Sequence, residues 1–405
     1  MEIATGFTFH VPNYRWDTDP DAEHTALMAD MQYAIEADKL GFKYALFAEH
    51  HFLHEYSHTA ANEVMIGYVA GQTKQIHLMS GIFNPLPSVN HPVKVAERVA
   101  ILDHLTEGRF EFGTGRGAGS YEILGFLPGI DDMNETKDIW EDVIGEFPKM
   151  WMQQVYEGHD SKYWKIPPRP VVPKPWKYGH PAMWYAAGNP TSWETAGHKG
   201  LGVIGFSIDN ISVAEKAVKV YKKAVANAEP IGAFTNDYLM AVCQASVSED
   251  REKAIDWACS PENAYYNSQT FRYHDTFPRP PGIPQWPEVM PNNPREAVPL
   301  LQEAGAPIGD PDDAIRVLKR WEAAGVDGVI FGVGPLGPEH AWETLRCVGK
   351  YIIPEFDKDP VHRTTRFRDT LKTDTVTHPG VIRQLPVASP AGEQDQAPTT
   401  GHWLP

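Results

Sequence analysis

A chain of 405 residues with 42% hydrophobic side chains can build one large α/β domain and is too apolar to be disordered. Its 36 Lys and Arg stand against 53 Asp and Glu, a net charge of -17, which excludes the basic face that a nucleic-acid backbone demands. The scattered Cys243, Cys259 and Cys347 offer neither a disulfide framework nor metal-ligand spacing, and no stretch reaches the ~18 apolar residues of a membrane span.

The opening MEIATGFTFH has neither the basic start nor the apolar run of a secretion signal, so a soluble, cytoplasmic protein is expected. Ile3 to Phe9 reads as a first strand. A helix follows from about Asp21, with Met28, Met31, Ile35 and Leu40 near helical spacing and Gly41 as its stop. Tyr44 to Phe47 is a second strand, Ala60 to Thr73 a second helix, and Ile76 to Gly81 a third strand. Pro92 opens a helix with Val95, Val99, Leu102 and Leu105 on one face, and Arg109 to Gly113 is a fourth strand.

The rhythm then loosens. A helix over Glu135 to Gln154 runs into IPPRPVVPKPW, which is neither regular helix nor central strand. Strands return at Met183–Ala187, Val203–Phe206 and Tyr238–Val247, and a second Pro-rich insertion or lid spans about 271–308. A helix from Pro311, a strand over Gly328–Phe331 and a helix to Ile353 close the pattern. Eight strands alternating with helices predict an α/β fold, a closed (β/α)8 TIM barrel with long irregular insertions near 156–182 and 271–308. The barrel domain is expected over 1–355, with 356–405 a C-terminal extension that is flexible beyond about 373.

A barrel of this kind carries its active site at the C-terminal ends of its strands. Glu49, His50 and His51 fall just after the second strand, Arg116 after the fourth, and Gly188, Asn189 and Ser192 after the fifth, so these groups converge on one mouth. Gly188 to Ser192 has the composition of a phosphate-binding helix start, and Arg116 would add a guanidinium suited to phosphate oxygens. The bland alternatives are an ordinary helix cap and a surface ion pair. An imidazole such as His50 can move protons near neutral pH, with Glu49 orienting it or shaping the pocket; His51 stays ambiguous.

Two motifs read as decoys. His54-Glu55-Tyr56-Ser57-His58 spells HExxH, but zinc peptidases need it on a helix, and here it falls in a loop, so no metal is expected. Gly113-Thr114-Gly115-Arg116-Gly117-Ala118 fits the dinucleotide fingerprint, yet Gly125, Pro128 and Gly129 argue against the helix that it requires, and it lies fourth in the barrel.

The segment GFKYALFAEHHF from Gly41 and the segment HPVKVAERVAILDHLTEGRFEFGTGRG from His91 resemble the bacterial luciferase-like family of flavin-dependent monooxygenases. MWYAAGNPTSWETAGHKG from Met183 and AGVDGVIFGV near the last strand fit the same resemblance, which covers about residues 1–355. It implies a two-component enzyme: a separate flavin reductase supplies FMNH2, O2 adds at the flavin C4a position, and the resulting (hydro)peroxide oxygenates a small hydrophobic organic substrate. Hydroxylation, Baeyer–Villiger insertion and aldehyde oxidation all remain open. The resemblance assigns catalysis to His50 and Glu49, and the flavin phosphate to Arg116, Gly188, Asn189 and Ser192. It places a non-prolyl cis peptide between Ile82 and Phe83 beneath the flavin ring, and puts Phe206 beside the ring unless that residue only packs the barrel.

Family luciferases carry an acidic residue and a Ser where this chain has Gly188 and Asn189, and a reactive cysteine where it has Gly115. Trp164, Trp176, Tyr265, Tyr266, Phe271 and Trp286 in the irregular segments suit an apolar pocket or lid, or simply pack the insertions. The resemblance also implies a homodimer. The rival readings are an F420-dependent dehydrogenase of the same superfamily, a zinc hydrolase built on 54–58, and a non-catalytic flavin-binding protein.

Overall fold

The computed structural model describes residues 1–117, 119–273, 284 and 287–371. Eight parallel strands close into a barrel in chain order: β1 Glu2–Phe7, β2 Tyr44–Phe47, β3 His77–Ser80, β4 Phe110–Thr114, β5 Ala182–Ala186, β6 Gly202–Gly205, β7 Leu239–Cys243 and β8 Gly328–Gly332. β1 pairs with both β2 and β8, with Ala4 opposite Tyr44 and Gly6 opposite Gly332, so no sheet edge is left open.

Because neighbouring residues of a strand face opposite sides, each strand divides its apolar residues between two cores. Ala4, Tyr44, Leu46, Met79, Trp184, Ile204, Tyr238, Met240 and Ile330 fill the barrel interior. The intervening positions, such as Ile3, Phe47, Leu78, Phe112, Val203 and Phe331, pack outward against helices. Trp184 needs the space opposite it: a Cβ on Gly202 would lie 2.4 Å from the indole.

The helices that matter for the site are α1 Ala22–Leu40, α2 Asn62–Ala70, α3 Pro92–Leu105, α4 Ser120–Phe126, α5 Glu135–Ile144, α6 Glu146–Met152 and α7 Pro190–His198. They are followed by α8 Ile211–Val225, α9 Arg251–Ala258, α10 Pro261–Tyr273, α11 Pro311–Ala324 and α12 Pro338–Cys347. Gly41 does stop α1, in the left-handed conformation at φ 89°.

Several expectations need correction. The helix over 135–154 is two helices, α5 and α6, broken at Gly145. The strand over 238–247 ends at Cys243, and Ser246–Val247 pairs instead with Ile308–Gly309 outside the barrel. A helix does open after the GTGRG turn: α4 starts at Ser120 and accommodates Gly125 before ending at Phe126. The non-prolyl cis peptide lies between Gly81 and Ile82, one residue before the expected Ile82–Phe83 bond. α10, Pro261–Tyr273, leads into the second insertion and ends just inside its expected start. Trp286, the side chain of Phe271 and the tail beyond 373 lie outside the described residues.

Residues 357–371 run across the N-terminal end of the barrel. Thr364 donates to Glu111, the His362 ring stacks on His77 at 3.8 Å, and Arg368 makes a two-pronged ion pair with buried Asp103. That end is thereby sealed, and the opposite mouth carries the cavity.

Candidate active site

The strand ends converge as the barrel geometry requires. Glu49 and His50 after β2, Ile82 after β3, Arg116 after β4, Gly188, Asn189 and Ser192 after β5, and Phe206 after β6 line one cavity of about 210 Å³. Phe206 is 38% exposed, so it stands at the mouth and is not barrel filling. Phe83 does not join them. It is fully buried outside the barrel, against Phe110 and Phe112, because it follows Ile82 with the opposite facing.

One end of the cavity is built for an anion. Arg116 donates to Thr136 Oγ1 at 2.8 Å and Met133 O at 3.3 Å, both neutral acceptors. Among the described residues no carboxylate lies within ion-pair distance of it. Burial lowers its pKa somewhat, though a guanidinium remains charged. Lys137 lines the same region. Asn189 caps α7 in a reciprocal box: Asn189 Oδ1 accepts from Ser192 N and Ser192 Oγ from Asn189 N, each at 3.0 Å. The ordinary-cap alternative is therefore true of these side chains: Pro190 has no N–H and the cap takes the Ser192 amide, so what the helix start still offers the cavity is the positive end of its dipole.

The middle is an apolar platform. Leu46, Ile82, Ala186, Val242 and Ile330 line it, and Gly115 keeps it thin, since a Cβ there would press on Ile82 at 3.1 Å. A flat ring bearing a phosphate arm fits this set: apolar floor, glycine-thinned wall, and cation with helix end at the far side.

The other end is acid–base machinery. His50 Nδ1 lies 3.5 Å from Glu122 Oε2, and Glu122 Oε1 accepts the His51 N–H at 3.0 Å. Burial alone would raise Glu122, but the bonds and charges of His50 and His51 outweigh it and hold its carboxyl below the ordinary range. His51 Nε2 meets Glu49 Oε1 at 3.1 Å, and Asn90 donates to the same oxygen at 2.9 Å. Burial raises Glu49, and Glu49 in turn raises His51 against its own burial. Two carboxylates thus bracket two adjacent imidazoles: Glu49 is bound to His51, and Glu122 is the carboxylate that meets His50.

Sequence reasoning missed Glu122, Lys137 and Tyr56, all cavity-lining, whereas Tyr266 lines the cavity as one of the aromatics expected to suit a pocket or lid. The hidden signal for Glu122 was α4, which the glycines and Pro128 seemed to forbid. HExxH lies in a turn, as its loop position implied; His58 Nε2 bonds to the carbonyl of His54, and Glu55 is occupied by other partners. Among the described residues no three His, Cys, Asp or Glu side chains gather as a metal site, and no helix is long and apolar enough to cross a membrane.

With this geometry in hand, comparisons locate the chain among known proteins. Residues 11–328 match the luciferase-like monooxygenase family. The oxygenase component of a flavin-dependent trigonelline monooxygenase from Acinetobacter baylyi is 25% identical over 332 residues, 81% of this chain and 89% of that protein. The alkanal monooxygenase alpha chain of Photobacterium leiognathi is 24% identical, over 84% of this chain and 96% of its own. Among solved structures, the oxygenating constituent of 3,6-diketocamphane monooxygenase from Pseudomonas putida, in complex with FMN, superposes with a TM-score of 0.69 at 18% identity, covering 88% of this chain and 98% of that one. An F420-dependent secondary alcohol dehydrogenase shares the barrel at a TM-score of 0.62 and 15% identity, covering 87% and 98%.

Proposed function

Because this chain belongs to the luciferase-like monooxygenase family, we propose that it is the oxygenase of a two-component system, taking FMNH2 from a separate reductase and using O2 to oxygenate a small hydrophobic organic substrate. The observation that carries this reading is a single cavity with an acid-free cation and a helix start at one end, an apolar floor, and a His–Glu pair at the other. Bound FMNH2 would supply the electrons that activate O2. Arg116 and Lys137, with the positive end of the α7 dipole, would hold its phosphate, and Leu46, Ile82 and Ala186 would support its ring. His50 would hold or deliver a proton from its ring, oriented by Glu122, with Glu49 fixing the neighbouring His51. The aromatic wall of Tyr56, Tyr266 and Phe206 would exclude water.

The names of the trigonelline and diketocamphane relatives support FMN and a reductase partner. The decisive experiment is mixing an anaerobic protein–FMNH2 complex with oxygenated buffer. Return of oxidised-flavin absorbance more slowly than with free FMNH2 supports the reading. Failure to hold FMNH2 together with tight F420 binding would replace it with the dehydrogenase.

Exposed Val64 and Tyr68 on α2, with Ile101 and Leu105 on the neighbouring α3, form an apolar face suited to a second copy of the chain, so we also propose a homodimer. Val64→Asp with Leu105→Asp should halve the mass seen by sedimentation; a monomeric parent protein would refute the pairing. Cys243, Cys259 and Cys347 are all free thiols, which suits work in the reducing cytoplasm.

A further inference from the structure

The HExxH segment forms a turn and not a helix, and its glutamate is one of the most buried carboxylates among the described residues, 1% exposed. Three donors converge on Glu55 Oε2: the backbone N–H of Asn13 at 2.7 Å, Tyr265 Oη at 2.5 Å and Gln269 Nε2 at 3.1 Å. Among the described residues its other oxygen is buried with no hydrogen-bond partner and no cation pairs with it. The backbone of Glu55 is itself pinned, since its carbonyl accepts from Val11 N at 3.0 Å. Tyr265 and Gln269 both belong to α10, while Val11 lies in the loop after β1 and Asn13 opens the short helix Asn13–Trp16 that follows it, so one side chain ties α10 to the segment leaving the first barrel strand.

The consequence reaches the cavity through the adjacent residues. Tyr56, next to Glu55, stacks on Tyr266 of α10 with ring centroids 5.4 Å apart and planes 16° from parallel. Both rings line the cavity, and Tyr56 meets the His50 ring edge-on at 5.8 Å. His10 bonds to Gln269 at 3.1 Å and packs edge-on against Tyr266, bracing the same turn of helix. We propose that Glu55 is a positioning residue: it clamps α10 over the barrel mouth so that Tyr266 and Tyr56 form the wall beside His50. α10 is thereby a lid fastened through Glu55, alongside the His10–Gln269 bond and the Tyr56–Tyr266 stack, and Tyr266 is a specificity-determining residue on the substrate side. The link from clamp to shielding rests on the proposed oxygenase reading, whereas the clamp itself does not.

The test is hydrogen exchange of residues 261–273 in the full chain, with Glu55→Ala, Glu55→Gln and Tyr265→Phe beside the parent protein. Losing one hydrogen bond in Tyr265→Phe should speed exchange there roughly fivefold, and losing three in Glu55→Ala more than about tenfold, while the barrel strands stay protected. Glu55→Gln keeps an oxygen for Tyr265 and the Asn13 N–H and should restore most of the protection. A second readout is the return of oxidised-flavin absorbance after FMNH2-loaded protein meets oxygen. It should quicken in Glu55→Ala, with FMN affinity unchanged because the phosphate end lies elsewhere in the cavity. Parent-like exchange in α10 for both Glu55→Ala and Tyr265→Phe overturns the clamp, as does an equal rise throughout the chain. If the parent protein holds no flavin, the oxygenase reading fails by itself and the exchange data still decide the clamp.

Discussion

Replacing Arg116 with Met separates a ligand-binding cation from a structural one. The side chain is half-buried and its hydrogen bonds go to Thr136 Oγ1 and Met133 O, so its loss breaks no ion pair among the described residues and should cost the fold only about 1 kcal/mol. Against a phosphate the same guanidinium would make charge-assisted bonds, worth about 2 kcal/mol at this depth, or roughly 30-fold in Kd. Lys137 is a less constrained cation at the same end, and Lys137→Ala should weaken binding by no more than about fivefold. The assay is fluorescence titration of FMN and of riboflavin into parent and variant proteins. FMN affinity should fall in Arg116→Met while riboflavin, which has no phosphate, binds as before. An equal loss for both ligands would refute the reasoning, because it would place Arg116 under the ring or in the fold and not at the phosphate.

Three further outcomes follow from the same geometry. His50→Gln should reduce product formation by about 10²-fold or more while FMN affinity changes less than about threefold; unchanged turnover removes His50 from the chemistry. Phe83→Ala should cost about 3–5 kcal/mol in urea unfolding with FMN affinity intact, since Phe83 packs outside the barrel; a selective loss of flavin would contradict that placement. Burial raises Glu111 to about 8, so its folded pKa lies above the unfolded carboxyl value: the stability it contributes is complete below about 4.5 and is lost as pH rises through 8. Glu111→Gln should flatten the fall of Tm between pH 6 and 9, read by thermal unfolding, and an unchanged slope would count against a buried neutral carboxyl.

Much of the barrel was legible because it is local. Strand β2 matches its expected bounds, and Gly41 and Pro92 act where single-residue backbone preferences place them. The convergence of Glu49, His50, Arg116 and Gly188–Ser192 on one mouth followed from chain order, since every residue after a barrel strand faces the same end. The glycine and proline signals were read too strongly at 120–126: the seven-residue helix α4 is held by its neighbours rather than by its own propensity, and it delivers Glu122 to His50.

The sequence by itself determined the alternation of strands and helices, the family motifs and the order of the site groups along the chain, because these depend on period and on residue type at short range. Tertiary structure alone decided which carboxylate serves which histidine. Glu49 sits beside His50 in sequence but bonds to His51, while Glu122 comes from 72 residues further along the chain to reach His50. It likewise turned Phe83 out of the site while keeping Ile82 in it, and made the HExxH glutamate a fastener for α10. Side-chain direction and long-range hydrogen bonding settle such partnerships, and both arise only once the barrel has closed.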